Sequence, residues 1–188
     1  MRCLLVGSSV LCTIAAVSLA LGVRVNFTPS VSRGLYRSVE GTAATGDLVA
    51  VCLPTEISRF GLQRGYLGSG SCDDGAMPVL KFVLAVAGDE VQLEWASVTI
   101  SGRGSYRLQT LTQDSSGRAL RPTSRGQYRL APGDLWLVSA GHERSWDSRY
   151  YGAVPAAAVR SVFVPMLMVP GDASGWPGDE YFKPSENP

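Results

Sequence analysis

The chain has 188 residues, a net charge of +1, and 18% charged against 45% hydrophobic residues. That balance excludes a disordered polyelectrolyte, and the lack of a basic block or clustered Lys/Arg face argues against nucleic-acid binding. With both ends set aside, about 145 residues remain, enough for one domain with a real core.

The first element is an apolar run, CLLVGSSVLCTIAAVSLALGV, from Cys3 to Val23, bounded by Arg2 and Arg24. At helical rise its twenty-one residues span about 31 Å, close to the hydrocarbon thickness of a bilayer. The expectation is a retained membrane anchor over residues 1–24. The rival is a cleaved signal peptide, for which Ala20-Leu21-Gly22 is a passable small-x-small site. Arg24, Arg33 and Arg37 follow the run, so the positive-inside rule alone does not orient it. Directly after it comes a stretch rich in hydroxyls, NFTPSVSRGLY, residues 26–36.

The part beyond reads as mainly β. Residues 46–54, 79–88, 90–100, 105–113, 134–140 and 159–169 are short, rich in Val, Leu and aromatics, and bounded by Gly, Pro or Asp. Val91, Leu93 and Trp95 alternate with Gln92 and Glu94, the pattern of a half-buried strand. Gly-Asp recurs at 46–47, 88–89 and 133–134, a turn-then-strand signal in which all three aspartates serve the turn backbone. Residues 55–64, TEISRFGLQR, predict a short helix capped by Thr55 and weakened by Gly61. Residues 114–126 form a polar loop, and residues 171–188 read as a disordered Pro/Gly-rich tail. The domain organisation expected is thus an anchor at 1–24, a β domain at 25–170 and the tail.

Cys3 and Cys12 lie in the apolar run, leaving Cys52 and Cys72 for the β domain. An even pair beyond an export segment fits a disulfide in an oxidising compartment; the alternative is two buried thiols. The lone histidine, His142, has no Cys or His neighbour, so a metal site is not expected and a solvated turn is the simple reading.

Serine attack on an amide needs a base and donors for the oxyanion. Without a well-partnered histidine, the base left is a desolvated lysine, because burial disfavours the ammonium form. The chain has two lysines only, Lys183 in the tail and Lys81 inside MPVLKFVLAVAG. An isolated lysine among apolar strand residues is costly unless neutral or paired; the bland alternative is a side chain that snorkels from an edge strand.

Three blocks in order, NFTPSVSRGLY, VLKFVLAVAGDEV and SWDSRYYG, resemble the type I signal peptidase superfamily, and most closely its conjugative-transfer branch, the TraF-type peptidases. Cys52 and Cys72 with RGYLGSGSC also look like that branch. The likeness runs from about residue 1 to residue 169. It implies a signal peptidase/LexA-like β fold with an N-terminal transmembrane helix. By position it makes Ser30 the nucleophile, Lys81 the general base and Asp147 the third catalytic residue, orienting Lys81 or pairing with Arg149. Thr28 becomes a candidate oxyanion donor, with Ser145 and Ser148 in support. Two departures stand out: Ser32 occupies the place of a usual proline, and Phe82 follows Lys81 where general signal peptidases often carry arginine.

The resemblance therefore implies a serine endopeptidase with a Ser30/Lys81 dyad and no cofactor or metal. It would sit in the inner membrane by a single pass, with its catalytic domain in the periplasm. Its substrate would be a membrane-tethered propilin, cleaved and in some members cyclised, within a conjugation or type IV secretion system whose components are further candidate partners. The alternatives are a general signal peptidase acting on exported preproteins and a non-catalytic assembly module.

Overall fold

The computed structural model describes residues 22–27, 31–139 and 142–169. The expected anchor, apart from its last residues, and the expected tail lie outside the described residues, as do Thr28 and Ser30. Among the described residues no helix is long and apolar enough to cross a membrane.

The fold is mainly β, as expected. Its larger sheet holds β1 (Val23–Asn26), β2 (Gly34–Val39), β3 (Leu48–Val51), β4 (Val79–Val86), β9 (Asp134–Val138), β10 (Val154–Pro155) and β11 (Val159–Met168), in the order β1-β2-β11-β3-β4-β9-β10. A smaller sheet has the order β7-β6-β5-β8, formed by β5 (Glu90–Leu93), β6 (Ser97–Ile100), β7 (Gly104–Arg107) and β8 (Gly126–Arg129). Every pairing in both sheets is antiparallel. Among the described residues two α-helices accompany the sheets, α1 (Thr55–Arg64) and the short α2 (Ser148–Tyr151), with a 3-10 turn at Ala156–Ala158.

The Gly-Asp turns behave as the sequence suggests. Asp47, Asp89 and Asp134 each accept a bond from the backbone N–H three residues earlier, at Ala44, Val86 and Ala131. The glycines before them take φ of 92°, 89° and 84°, which a Cβ would oppose.

Three expectations need correction. The run 90–100 is a hairpin: Glu94 N–H bonds to Ser97 O, so the chain reverses at Trp95-Ala96. Val91 and Leu93 are fully buried as the alternation requires, but Trp95, at the reversal, is 52% exposed with the Arg125 guanidinium over its ring. Second, α1 forms over the expected residues, yet Thr55 is its first helical residue; Pro54 precedes it and makes no side-chain cap, a position suited to a residue with fixed φ. Third, the snorkelling alternative for Lys81 does not hold: β4 pairs with β3 at Lys81 and with β9 only from Phe82 onward, but the lysine side chain is buried rather than reaching solvent.

Three apolar clusters fix the layers. One fills the space between the small sheet and the β4–β9 pair, around Trp136, Val91, Leu93 and Ile100. The second lies around Val49, Val83 and Leu137, with Ile57 of α1, Leu67 and Trp146 packed against it. The third joins Val31, Tyr36, Leu48, Phe82 and Phe163. Along β4, Val79 and Val83 face the second cluster while Phe82 faces the third. Lys81 alternates with Phe82 and therefore points to the Val79/Val83 side, toward Trp146.

Candidate functional site

Lys81 is 5% exposed and pairs with Val49 of β3, so its buried amine depends on neighbouring polar groups. It donates to Ser145 Oγ at 2.7 Å and to Ser139 Oγ at 3.0 Å. Burial pulls its pKa down to about 8; the Asp147 carboxylate works against that shift and the Arg149 guanidinium adds to it. Desolvation is the dominant cause.

Both serines are held from behind. Ser139 directly follows β9, and its N–H donates to Asp147 Oδ2 at 3.2 Å. Ser145 O accepts from Arg149 Nη2 at 3.1 Å. Asp147 and Arg149 form a buried ion pair, 0% and 1% exposed, with Arg149 Nε on Oδ1 at 2.8 Å and Nη2 on Oδ2 at 2.7 Å. Asp147 also caps α2 by accepting from Arg149 N–H at 3.2 Å, and Arg149 Nη1 reaches Gln109 O. A bidentate pair with satisfied remaining donors is the geometry that makes a buried ion pair tolerable. The pairing of Asp147 with Arg149 is therefore present. No hydrogen bond joins Asp147 to Lys81; the link runs through Ser139 and Ser145.

Ser148 lies apart from the amine. Its hydroxyl accepts from Leu137 N–H at 2.9 Å and so ties α2 to β9. Ser139 was not singled out from the sequence: a serine closing the strand LWLVS carries no pattern, and only the register of β9 against β4 brings it to the lysine. His142 is exposed, as expected, and its Nδ1 accepts from Arg144 N–H at 3.1 Å.

The stretch that carries Ser30 is bounded by described residues. Asn26, the last residue of β1, is buried, and its Nδ2 donates to Val31 O at 2.9 Å and to Ser32 O at 3.0 Å. The Tyr36 hydroxyl donates to the same Ser32 carbonyl at 2.6 Å. Val31 shares a core cluster with Phe82, so the residues that follow Ser30 and Lys81 in the chain pack together. Among the described residues the buried Ser32 hydroxyl has no hydrogen-bond partner.

Lys81 and Ser145 open onto a cleft of about 630 Å³, whose walls include Val25 of β1, the Phe27 that follows that strand, Leu67, Met77, Leu80 and Trp146. β9 pairs with β4 only from Phe82 onward. Among the described residues no strand pairs with the Val79–Lys81 edge on that side, and this edge adjoins the cleft. Cys52 and Cys72 form a disulfide, with Cα atoms 5.6 Å apart, so the free-thiol alternative is excluded. Among the described residues no group of three or more His, Cys, Asp or Glu is arranged to hold a metal ion.

Comparison with known proteins adds the following. The family described as signal peptidase, peptidase S26, matches residues 2–166. A probable conjugal transfer protein TraF of Sinorhizobium fredii is 38% identical over 141 residues, covering 73% of this chain and 73% of that protein. The conjugal transfer protein TraF of Agrobacterium fabrum is 35% identical over 169 residues, 88% of this chain and 94% of that one. A plasmid transfer protein TraF of Escherichia coli is 30% identical over 164 residues, 86% and 92% of the two chains. Among solved structures, a signal peptidase I from Enterococcus faecalis aligns with 68% of this chain and 100% of its own at 19% identity and a TM-score of 0.38.

Proposed function

This chain belongs to the signal peptidase, peptidase S26, family, and from that premise we propose that it is a serine endopeptidase in which neutral Lys81 activates Ser30. The observation that carries the reading is the buried Lys81 amine and the two hydroxyls it bonds. A neutral amine has two N–H donors and one lone pair. Its hydrogen bonds to Ser139 Oγ and Ser145 Oγ employ both donors, which leaves the lone pair for a third hydroxyl. Its lowered pKa, about 8, puts that lone pair within reach of neutral pH.

In this mechanism Lys81 takes the Ser30 proton as Oγ attacks the scissile carbonyl. Thr28 and a backbone N–H support the oxyanion. The C–N bond breaks, the leaving amine receives the proton held by Lys81, and an ester remains on Ser30. A water molecule then attacks the ester with Lys81 again as base, or an amine of the substrate does so and closes a ring. Asp147 and Arg149 position both serines that hold Lys81. The shared packing of Val31 and Phe82 supports proximity of the stretches bearing Ser30 and Lys81.

The substrate we infer is an extended peptide laid along the unaccompanied Val79–Lys81 edge, adding a strand to the sheet. The conjugal and plasmid transfer relatives favour a propilin of a conjugation system over exported preproteins at large. We place the chain in the inner membrane through residues 1–24, with its catalytic domain at 25–170 in the periplasm. The disulfide supports an oxidising compartment.

The test is mass spectrometry of the candidate pilin after incubation with the full-length protein in detergent. Wild type is expected to cut it, and a product one water lighter than the linear fragment reports ring closure; Ser30→Ala and Lys81→Met are expected to leave it whole. Equal cleavage by either variant refutes the dyad, and comparable cleavage of unrelated preproteins favours the general signal peptidase.

A further inference from the structure

Between α1 and β4 the chain makes an arm, residues 65–78, whose sequence GYLGSGSCDDGAMP has few groups able to build a core. It folds on itself: Ser69 bridges Ala76, Gly70 N–H bonds to Gly75 O at 2.8 Å, and Met77 N–H bonds to Gly68 O at 2.8 Å. Its base sits tightly on α1. Tyr66 and Leu67 N–H both reach Gly61 O, and a Cβ at Gly61 would lie 2.7 Å from Leu67 Cγ and from the Trp146 ring. Its far end is joined to the body by the Cys52–Cys72 disulfide, Cys52 itself being fixed by its N–H on Ala158 O at 3.0 Å. That end also carries the Arg160–Asp73 ion pair, 50% and 93% exposed, a class of contact that contributes little, and the small side chain of Ala76 is buried there.

The inner side of this arm is a wall of the cleft. Leu67, Gly68, Met77 and Pro78 line it, and Pro78 leads directly into the open Val79–Lys81 edge. The groups that hold Lys81 are elsewhere: Ser139, Ser145, Asp147 and Arg149 lie on β9 and the segment entering α2.

We propose that the Cys52–Cys72 disulfide is a positioning element for substrate: it holds residues 66–78 as the wall along which the peptide extends, so its loss weakens peptide binding and leaves the Lys81 chemistry intact. The substrate role of the cleft rests on the peptidase reading above. Reduction by dithiothreitol delivers two electrons and two protons to the S–S bond, giving two thiols and cyclic oxidised dithiothreitol. The arm then loses its covalent tie at that end and keeps its own backbone bonds, the buried Ala76 and the exposed ion pair, so local opening becomes easier.

The experiment compares full-length oxidised protein, reduced and iodoacetamide-capped protein, and the Cys52→Ser/Cys72→Ser variant, on a synthetic decapeptide with alanine at the first and third positions before the test bond. Expected is a rise in KM of about ten-fold or more with kcat within about two-fold, and an unmoved pH midpoint of kcat. Hydrogen exchange is expected to speed up in residues 66–78 and not in 134–151. An unchanged KM with both thiols capped overturns the proposal, as does exchange that rises over the whole sheet. If the oxidised protein cuts no peptide, the peptidase reading fails, while peptide-induced protection of residues 66–81 still decides the arm: protection in the oxidised form alone supports it, and equal protection in both forms overturns it.

Discussion

Raising the pH from 7 to 9 tests the Lys81 assignment through its magnitude. With a pKa of about 8, about a tenth of Lys81 is neutral at pH 7 and about nine-tenths at pH 9. The kcat on the decapeptide or a propilin fragment is therefore expected to rise about ten-fold and then level off. A lysine at the ordinary 10.5 gives a rise of about a hundred-fold over the same range with no plateau. Stability moves in the same direction. Between pH 8 and 10.5 the unfolded chain holds a proton on Lys81 that the folded chain has lost, so raising the pH stabilises the fold. The depression of Lys81 from 10.5 to about 8 corresponds to roughly 3 kcal/mol over that window. The Asp147→Asn variant sharpens the test. It removes the charge that holds the Lys81 pKa up, so the kinetic midpoint must fall below that of wild type. It also leaves the Arg149 guanidinium buried without its counter-ion, at a cost of roughly 3–5 kcal/mol in urea unfolding. A midpoint that stays put or rises in Asp147→Asn, or a profile without a plateau by pH 9, refutes the reasoning.

Ser32→Ala removes a buried hydroxyl that has no partner among the described residues; chemical denaturation is expected to show unchanged stability or a gain of about 1 kcal/mol, with cleavage retained. Asn26→Ala strips the buried donor from the Val31 and Ser32 carbonyls; a loss of roughly 1–3 kcal/mol and a fall in kcat larger than any change in KM are expected. Gly61→Ala places a Cβ against the Trp146 ring and Leu67; despite better helix propensity, thermal melting is expected to show a net loss of roughly 1–3 kcal/mol.

Much of this fold is legible from turn chemistry. The Gly-Asp pairs mark strand starts because glycine admits the positive φ and aspartate bonds the turn backbone, and α1 stands out between them. Strands β1, β8 and β10 are two to four residues long, too short for periodicity to register. The reversal at Trp95-Ala96 has no Gly or Pro to signal it. At the site, Lys81 is conspicuous because charge in an apolar strand demands a reason. Ser139 is invisible in the sequence because its role comes from strand pairing, and the hydroxyl of Ser148 is used by the Leu137 backbone. The separation of Asp147 from Lys81 by two serines is likewise a matter of tertiary geometry.

The most direct test of the central claim is where the acyl group lands. Trypsin cuts after Arg24 and Arg33, so the peptide Val25–Arg33 carries Thr28, Ser30 and Ser32 together. Full-length protein is mixed with propilin, quenched in acid within the first turnover, digested, and fragmented by tandem mass spectrometry. An ester on Ser30, absent from Lys81→Met, is the expected result; an ester on Ser32, or turnover with no adduct on this peptide, contradicts the Ser30/Lys81 dyad.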